Sequence, residues 1–278
     1  MHFKYLLFSA IPALVSCAGV PELEHLERRT AFADANRAAS APYKGTVKNY
    51  GGPVQPNIQV FLVFYGKARF QDKLKTFYNG IVHSAYFDWM SEYGVYRGSY
   101  VNAYQANTTA SNTEPQNVAA AVIQKYKLER KLTANSYFAI HYGPEFDQAT
   151  GNCKEYCAYH TPTTYNGITF SVGLMPDCSS KFYHPDPFSS LTCVASHELI
   201  ESATDPTIEA WKAADGSGAE LGDLCFNQCG KVKDDFGNTH VVQYEWSNAA
   251  AKDNSGKGCI ITKPIKKVTT TSKAKKTK

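Results

Sequence analysis

The sequence has no apolar run long enough to form a transmembrane helix. Such a helix needs about 20 predominantly apolar residues. The first apolar run is shorter than that and is interrupted by Pro12 and Ser16, and no later stretch is longer. We therefore expect no transmembrane segment in this chain.

Internal repeats are also absent, which argues against solenoids and propellers. Outside the C-terminal tail, no basic residues alternate with aromatic ones, so the sequence gives no indication of nucleic-acid binding. Charged residues make up only 19% of the 278 positions and apolar residues 43%. A chain of this composition can bury a sizeable core without a partner, so we expect one main domain and a monomer.

Acidic and basic residues are unevenly distributed along the chain. The net charge is +4, yet the last 16 residues, "KPIKKVTTTSKAKKTK", hold seven lysines and no acid. Residues 1–262 carry 22 basic and 25 acidic side chains, a net charge of −3. The tail should be disordered, serving either solvation or loose adhesion to anionic polymers.

The N-terminus is typical of a secretory signal peptide that spans residues 1–18. Lys4 precedes the apolar run, and Ser16 and Ala18 occupy positions −3 and −1 of a cut after Ala18. The alternatives are a membrane anchor and a bacterial lipoprotein box that ends at Cys17. Secretion predicts an extracellular or cell-wall-associated protein.

The rest of the chain divides into four segments. Residues 19–29 end in Arg28-Arg29, which indicates a pro-segment with a dibasic processing site or, alternatively, a disordered linker. The remaining segments are a linker (30–47), a globular domain (48–262) and the lysine-rich tail (263–278). The single N-glycosylation sequon, at Asn107, falls in a predicted surface loop and would make the protein a glycoprotein.

Seven cysteines follow the predicted cleavage site, so an oxidising compartment should pair six of them and leave one over. The alternative is a four-cysteine zinc site. Its two knuckles would be Cys153/Cys157 and Cys225/Cys229.

Hydrophobic periodicity predicts an α+β fold. The run "VFLVFYG" indicates a strand buried on both faces. Apolar residues spaced by three and four predict helices over residues 70–93 and 114–130, the second with Pro115 in its first turn. Three strand-like runs follow, "SYFAIHYG", "EYCAYHT" and "GITFSVGLMP". We expect a single domain with a mixed sheet packed on these helices and on a further helix over residues 190–204.

That last helix contains "SHELIESATDP", in which His197 and Glu201 lie one turn apart on one face. An imidazole and a carboxylate at this spacing can bind one cation, and Glu198 can sit beside it and hold a water for attack on a carbonyl. Ser189 or Ser190 should cap the helix. The Asp205-Pro206 pair should end it, because the residue before proline is pushed out of the α region.

A third ligand has to come from elsewhere. Asp205 lies about 12 Å along the helix from His197, too far to share the cation. Glu220 and Asp223 in "GAELGDLC" are the downstream candidates. A ligand set of one histidine and several carboxylates suits Zn²⁺, and Ca²⁺ and Mn²⁺ are the alternatives.

Two other interpretations of this helix remain. His197 and Glu201 can form an ordinary helix ion pair worth about 0.3–0.5 kcal/mol. Cys193 stands one turn before His197 and could be a nucleophile, a disulfide partner or a packed apolar residue.

Several motifs together resemble the phosphate-induced, exordium-like secreted proteins in a fungal-type form. They are "GGP" at 51–53, "FYG" at 64–66, "SHELIESATDP", Trp211, "ELGDLC" at 220–225, "WS" at 246–247 and Cys259. The resemblance covers about residues 48–260. It implies an extracellular or wall-associated protein of a family whose biochemical activity is not settled.

The resemblance also implies site residues. His197, Glu198 and Glu201 match the family's His-Glu-x-x-Glu, and Glu220 and Asp223 match its Glu-x-Gly-Asp. Asp205 departs from the family, because the plant members have asparagine at that position. It further implies that Cys225 and Cys259 are disulfide-bonded. By analogy we expect a zincin-like domain with an HExxE helix.

Two functions follow as hypotheses. One is a metal-dependent, peptidase-like hydrolase in which Glu198 is catalytic and His197, Glu201, Glu220 and Asp223 bind the metal. The other is a non-catalytic extracellular protein that binds wall polymer or a surface partner. The partner is then a peptide substrate in the first case and an extracellular polymer in the second.

Overall fold

The structure is a computed structural model, and it describes residues 14–15 (backbone only), 43–107, 113–146, 157–177, 184–253 and 257–263. Apart from residues 14–15, the predicted signal peptide lies outside these ranges. So do the predicted pro-segment, most of the linker and all of the tail except Lys263.

A six-stranded mixed sheet forms the centre of the fold, and its edge strand at residues 14–15 falls within the predicted signal peptide, so that cleavage after Ala18 would leave five strands. Its strands are β1 (Leu14–Val15), β3 (Gln59–Tyr65), β4 (Ser99–Gln105), β5 (Ser136–Tyr142), β6 (Ala158–Tyr165) and β7 (Ile168–Met175). Their order across the sheet is β1-β6-β7-β5-β3-β4. Strands β4, β3, β5 and β7 are parallel, whereas β6 is antiparallel to β7 and to β1. The β6–β7 connection is the two-residue turn Asn166-Gly167 with positive φ at both positions, the conformation that suits a tight hairpin.

Helices cover both faces of the sheet. They are α1 (Gln71–Ile81), α2 (Ala85–Asp88), α3 (Pro115–Tyr126), α4 (Pro187–Thr204) and α5 (Asn248–Asp253). Alternate side chains of β3 point to opposite faces: Leu62 packs in the core that includes α1 and α4, and Phe61 in the core that includes α3. The predicted α+β fold with a mixed sheet is confirmed, and β3 is buried on both faces as its sequence predicts.

Smaller two-stranded sheets complete the described part. They pair β2 (Val47–Asn49) with β8 (Trp211–Ala213), β9 (Cys229–Lys233) with β10 (Thr239–Gln243), and β11 (Glu245–Trp246) with β12 (Cys259–Ile260). Short 3-10 turns occur at Trp89–Tyr93, Glu129–Lys131, Pro144–Phe146 and Asp223–Cys225. Among the described residues, no helix combines the length and the apolar character that crossing a bilayer requires.

The prediction of one helix over residues 70–93 is wrong, because the chain breaks between α1 and α2. The Ser84 hydroxyl accepts a hydrogen bond from the Tyr86 backbone N–H at 3.2 Å and so starts a new helix. Near the end of α1, Gly80 packs tightly against Asp234 and His240 of the β9–β10 hairpin. Apolar spacing alone does not reveal such a break, because both segments present buried residues to the same core.

Disulfides connect α4 and the segments that follow it. Cys193 is bonded to Cys229, and Cys225 to Cys259, which confirms that both Cys225 and Cys259 are paired. Cys157 is also disulfide-bonded. The four-cysteine zinc site is therefore wrong, since Cys225 and Cys229 belong to two separate disulfides. A nucleophilic role for Cys193 is excluded for the same reason.

Candidate metal centre

Helix α4 carries the HExxE residues into the core. The Asp186 side chain accepts a hydrogen bond from the Ser189 backbone N–H at 2.8 Å, and Pro187 is the first helical residue. The helix therefore begins earlier than the predicted Ser189 or Ser190 cap, while its end before Asp205 is as predicted. His197 and Glu201 lie on one face, with Nε2 and Oε2 3.0 Å apart.

Glu220 and Asp223 approach α4 from the segment that precedes β9. The Asp223 backbone N–H donates to Glu201 Oε1 at 3.2 Å, and the Glu220 N–H donates to Asp223 Oδ2 at 3.0 Å. Asp223 Oδ1 lies 3.9 Å from His197 Nε2. The structure thus brings all the predicted site residues into one region. Asp223 differs from the others in that its side chain stays 16% exposed.

Gly222 makes this approach possible. A Cβ atom at Gly222 would lie 2.5 Å from His197 Nδ1 and 2.9 Å from Glu201 Oε1, closer than van der Waals contact allows. The backbone there is in the right-handed helical region, at φ −70°. Glycine is therefore needed for space and not for an unusual conformation.

His160, on strand β6, is a site residue that sequence reasoning missed. Its Nδ1 lies 3.3 Å from Glu198 Oε2 and 3.8 Å from Glu201 Oε2, and its Nε2 lies 3.7 Å from Glu220 Oε1. The imidazole is fully buried. Ala158 and His160 alternate with the less buried Tyr159, so the period of a strand gives the inward direction. Nothing in the sequence, however, links this histidine to α4.

Both ring nitrogens of His160 have polar neighbours. Its Nε2 is 3.2 Å from the Asp205 backbone carbonyl and donates a hydrogen bond to it. The Nδ1 atom lies at hydrogen-bond distance from Glu198 Oε2. A protonated His160 donates to that carboxylate through Nδ1, whereas a neutral His160 presents a lone pair that only a cation between the groups makes favourable. Metal-binding histidines commonly donate their other N–H to a carbonyl or a carboxylate in this way.

Gln243, at the end of β10, holds His197 from the other side. Its side-chain amide donates to the Gly222 carbonyl at 2.9 Å and lies 2.7 Å from His197 Nδ1. With both amide N–H groups used as donors, neutral His197 carries its proton on Nε2. A cation held through Nε2 would leave the imidazole proton on Nδ1. The Gln243 amide would then have to turn, so that Oε1, which has no hydrogen-bond partner, accepts a hydrogen bond from Nδ1–H.

Several buried polar atoms of the site lack a hydrogen-bond partner. They are His197 Nε2, Glu198 Oε1, Glu201 Oε2 and both carboxylate oxygens of Glu220. His197 Nε2 and Glu201 Oε2 lie 3.0 Å apart without the alignment of a hydrogen bond, so a protonated His197 forms an ion pair with Glu201 there. Leaving a buried polar group unpaired costs about 1–3 kcal/mol, and more for a charged group. Two groups of three residues, His160/Glu201/Glu220 and His197/Glu198/Glu201, have ligand atoms within 4.8 Å of one another.

Burial and the neighbouring charges determine the protonation of the site. Burial raises the pKa of Glu201 to about 7 and, together with the charge of Glu201, raises the pKa of Glu220 well above its usual value. Burial by itself lowers the pKa of a histidine. Here the effect of Glu198 on His160, and of Glu201 on His197, outweighs it and raises both pKa values. Without a cation, the site therefore retains protons.

In comparisons with known proteins, no family model, no curated protein and no solved structure matches this chain. The indications of its chemistry therefore come from the residues of the site itself.

Proposed function

We propose that this chain is a secreted protein that holds a divalent metal cation in its buried histidine–glutamate site. The observation that carries the proposal is the set of buried, unpartnered potential ligand atoms on His197, Glu198, Glu201 and Glu220. Together with His160, these residues form two groups that share Glu201. A cation between these atoms removes the cost of leaving them unpaired. The same residues would otherwise have to hold protons.

The ligand set favours Zn²⁺, with Mn²⁺ as the alternative. Imidazole and carboxylate groups together suit Zn²⁺, and carboxylate-rich sites also suit Mn²⁺. Ca²⁺ takes oxygen ligands, so the two imidazoles of His160 and His197 disfavour it. No thiolate takes part among the described residues, because their cysteines are disulfide-bonded.

Burial argues for a non-catalytic role of the metal. His160, His197, Glu198, Glu201 and Glu220 are each at most 1% exposed. A peptide substrate has no access to a site closed in this way. We therefore favour an extracellular protein whose cation stabilises the packing of α4 against β6 and the 220–225 segment, and which binds wall polymer or a surface partner.

A hydrolase is the second candidate, because Glu198 stands beside His197 and Glu201 with its Oε1 atom unpartnered. In a peptidase of this kind, a bound Zn²⁺ would polarise the substrate carbonyl. Glu198 would take and return a proton at Oε1. This role requires an opened form of the protein in which substrate and water reach Glu198.

Secretion and family membership belong to the same proposal. The Cys193–Cys229 and Cys225–Cys259 disulfides fit an oxidising compartment, as does the predicted signal peptide. The exordium-like resemblance and the zincin-like description are supported by an HExxE segment that is helical and buried against the mixed sheet. We propose an extracellular or cell-wall location on these grounds.

Metal analysis of the purified protein tests the proposal. The wild type should retain Zn²⁺ or Mn²⁺ after dialysis, and His197→Ala should lose affinity for the metal. His83→Ala is the matched control, since His83 contacts Asn79 and Phe236 outside the site. A wild-type protein that binds neither metal would overturn the proposal.

A peptidase assay separates the two candidates. If the metal is structural, neither the wild type nor Glu198→Ala should cleave a mixed library of peptides, whether metal is present or absent. Turnover that needs metal and disappears in Glu198→Ala would establish the hydrolase instead.

A further inference from the structure

We propose that the site holds two divalent cations bridged by the carboxylate of Glu201. This inference rests on the proposed function and extends it from one cation to a pair. Its starting point is that the two groups of ligand atoms, His197/Glu198/Glu201 and His160/Glu201/Glu220, share Glu201 alone. Each cation then has one histidine and one glutamate of its own.

Glu201 has the geometry of a bridging ligand. Its Oε2 atom lies 3.0 Å from His197 Nε2 and 3.8 Å from His160 Nδ1, so it stands between the two imidazoles. This oxygen is buried and makes no aligned hydrogen bond, even to His197 Nε2, whereas Oε1 accepts one from the Asp223 backbone N–H. The backbone contact fixes the carboxylate and leaves Oε2 for the cations. Paired cations in proteins lie about 3.5–4 Å apart, a distance that one carboxylate spans.

Glu198 and Glu220 approach Glu201 from different elements. Glu198 is on α4 and its Oε1 is unpartnered, while both oxygens of Glu220, on the later segment, are unpartnered. Glu220 Oε1 lies 3.7 Å from His160 Nε2, so Glu220 belongs to the β6 side of the site. Glu198 Oε2 also lies 3.3 Å from His160 Nδ1, so the unpartnered Oε1 is the Glu198 atom left for a cation beside His197. The unpartnered oxygens of Glu198 and Glu220 thus belong to different groups of ligand atoms, which Glu201 joins.

The charge balance also favours two cations. Six buried or largely buried carboxylates lie in or beside the two groups of ligand atoms: Glu198, Glu201, Asp205, Glu220, Asp223 and Glu245. In the part of the chain that the structure describes, the ammonium paired with them is that of Lys212, 3.8 Å from Asp205 Oδ2. Five negative charges therefore remain when all six carboxylates are ionised and both histidines are neutral ligands. Two divalent cations leave one of these charges for a proton to neutralise, whereas one cation leaves three.

Metal stoichiometry tests the bridged pair. The protein is stripped with a chelator, reloaded with Mn²⁺, freed of loose metal by gel filtration and analysed by elemental mass spectrometry. We expect two Mn²⁺ per chain in the wild type and in His83→Ala. His160→Ala and His197→Ala should each hold one, because each removes the histidine of one cation. Glu201→Gln should weaken the binding of both cations.

Electron paramagnetic resonance of the same samples adds a readout of the bridge. Two Mn²⁺ ions joined by one carboxylate should give an exchange-coupled spectrum in the wild type, and His160→Ala should give the six-line spectrum of an isolated ion. One Mn²⁺ per wild-type chain would overturn the bridged pair and leave the proposed function standing, whereas no Mn²⁺ or Zn²⁺ would overturn both. If a variant does not fold, the wild-type stoichiometry and spectrum still decide between one bound cation and a bridged pair.

Discussion

Replacing Gly222 with alanine tests the close contact between the 220–225 segment and α4. The added Cβ would lie 2.5 Å from His197 Nδ1, 2.7 Å from its Cε1 and 2.9 Å from Glu201 Oε1. Neither side chain can withdraw freely. Gln243 holds the imidazole, and the Asp223 backbone N–H holds the carboxylate.

The size of the effect follows from two opposing contributions. Gly222 has φ −70° and ψ −41°, a conformation that alanine adopts without strain. Without the clash, the substitution would stabilise the protein by about 0.4–1 kcal/mol through the unfolded chain. Overpacking a fixed interior costs about 1–3 kcal/mol. We therefore expect a net loss of about 1–2 kcal/mol in the free energy of unfolding.

Urea denaturation in the presence of a chelator measures the packing contribution, and metal analysis of the reloaded protein measures the effect on the site. Gly237→Ala is the control. Gly237 has φ +90° with nothing within 4 Å of an added Cβ, so alanine costs about 1–2 kcal/mol of backbone strain without a clash. Both variants should lose stability, and only Gly222→Ala should also lose metal.

A Gly222→Ala protein that is as stable as the wild type and keeps its full metal content would contradict this reasoning. It would mean that the 220–225 segment does not approach His197 as closely as described. Equal metal loss in Gly237→Ala would mean that metal content follows general stability, and the argument from local contact would fail.

Three further predictions concern the pH dependence of stability, one disulfide and the C-terminal tail. In the metal-free protein, the pKa of Glu201 is raised to about 7 from 4.5, so the folded state keeps a proton that the unfolded chain releases. The contribution of this proton to the free energy of unfolding should therefore be full below pH 4.5 and fall by roughly 3 kcal/mol as the pH rises through about 7. Denaturation at several pH values measures this, and a flat profile would refute it. Replacing both Cys193 and Cys229 with serine opens a cross-link of 36 residues' separation and should cost about 4 kcal/mol by denaturation; a loss below about 1 kcal/mol would contradict it. Removing residues 263–278 should leave the melting temperature nearly unchanged but weaken retention on a cation exchanger, an effect that fades near 1 M salt, where the Debye length is about 3 Å. A large loss of thermal stability would show that the tail packs on the domain.

Local patterns in the sequence predicted much of the fold. The apolar run of β3, the proline at the start of α3 and the Asp205-Pro206 end of α4 all depend on neighbours in the chain, and the structure agrees with each. The i,i+4 spacing placed His197 and Glu201 on one face of a helix for the same reason. Apolar spacing failed where a helix is interrupted, at Ser84, because the segments on both sides of the break bury residues in the same core.

The sequence by itself therefore determined the HExxE helix and named Glu220 and Asp223 as residues that could return to it. Only the tertiary structure brought His160 and Gln243 to the same place. His160 lies 38 residues from Glu198 in the chain and Gln243 lies 46 residues from His197, and no periodicity extends over such separations. The sheet order places β6 beside α4, and the buried polar atoms that result, left without hydrogen-bond partners, are what indicate a cation.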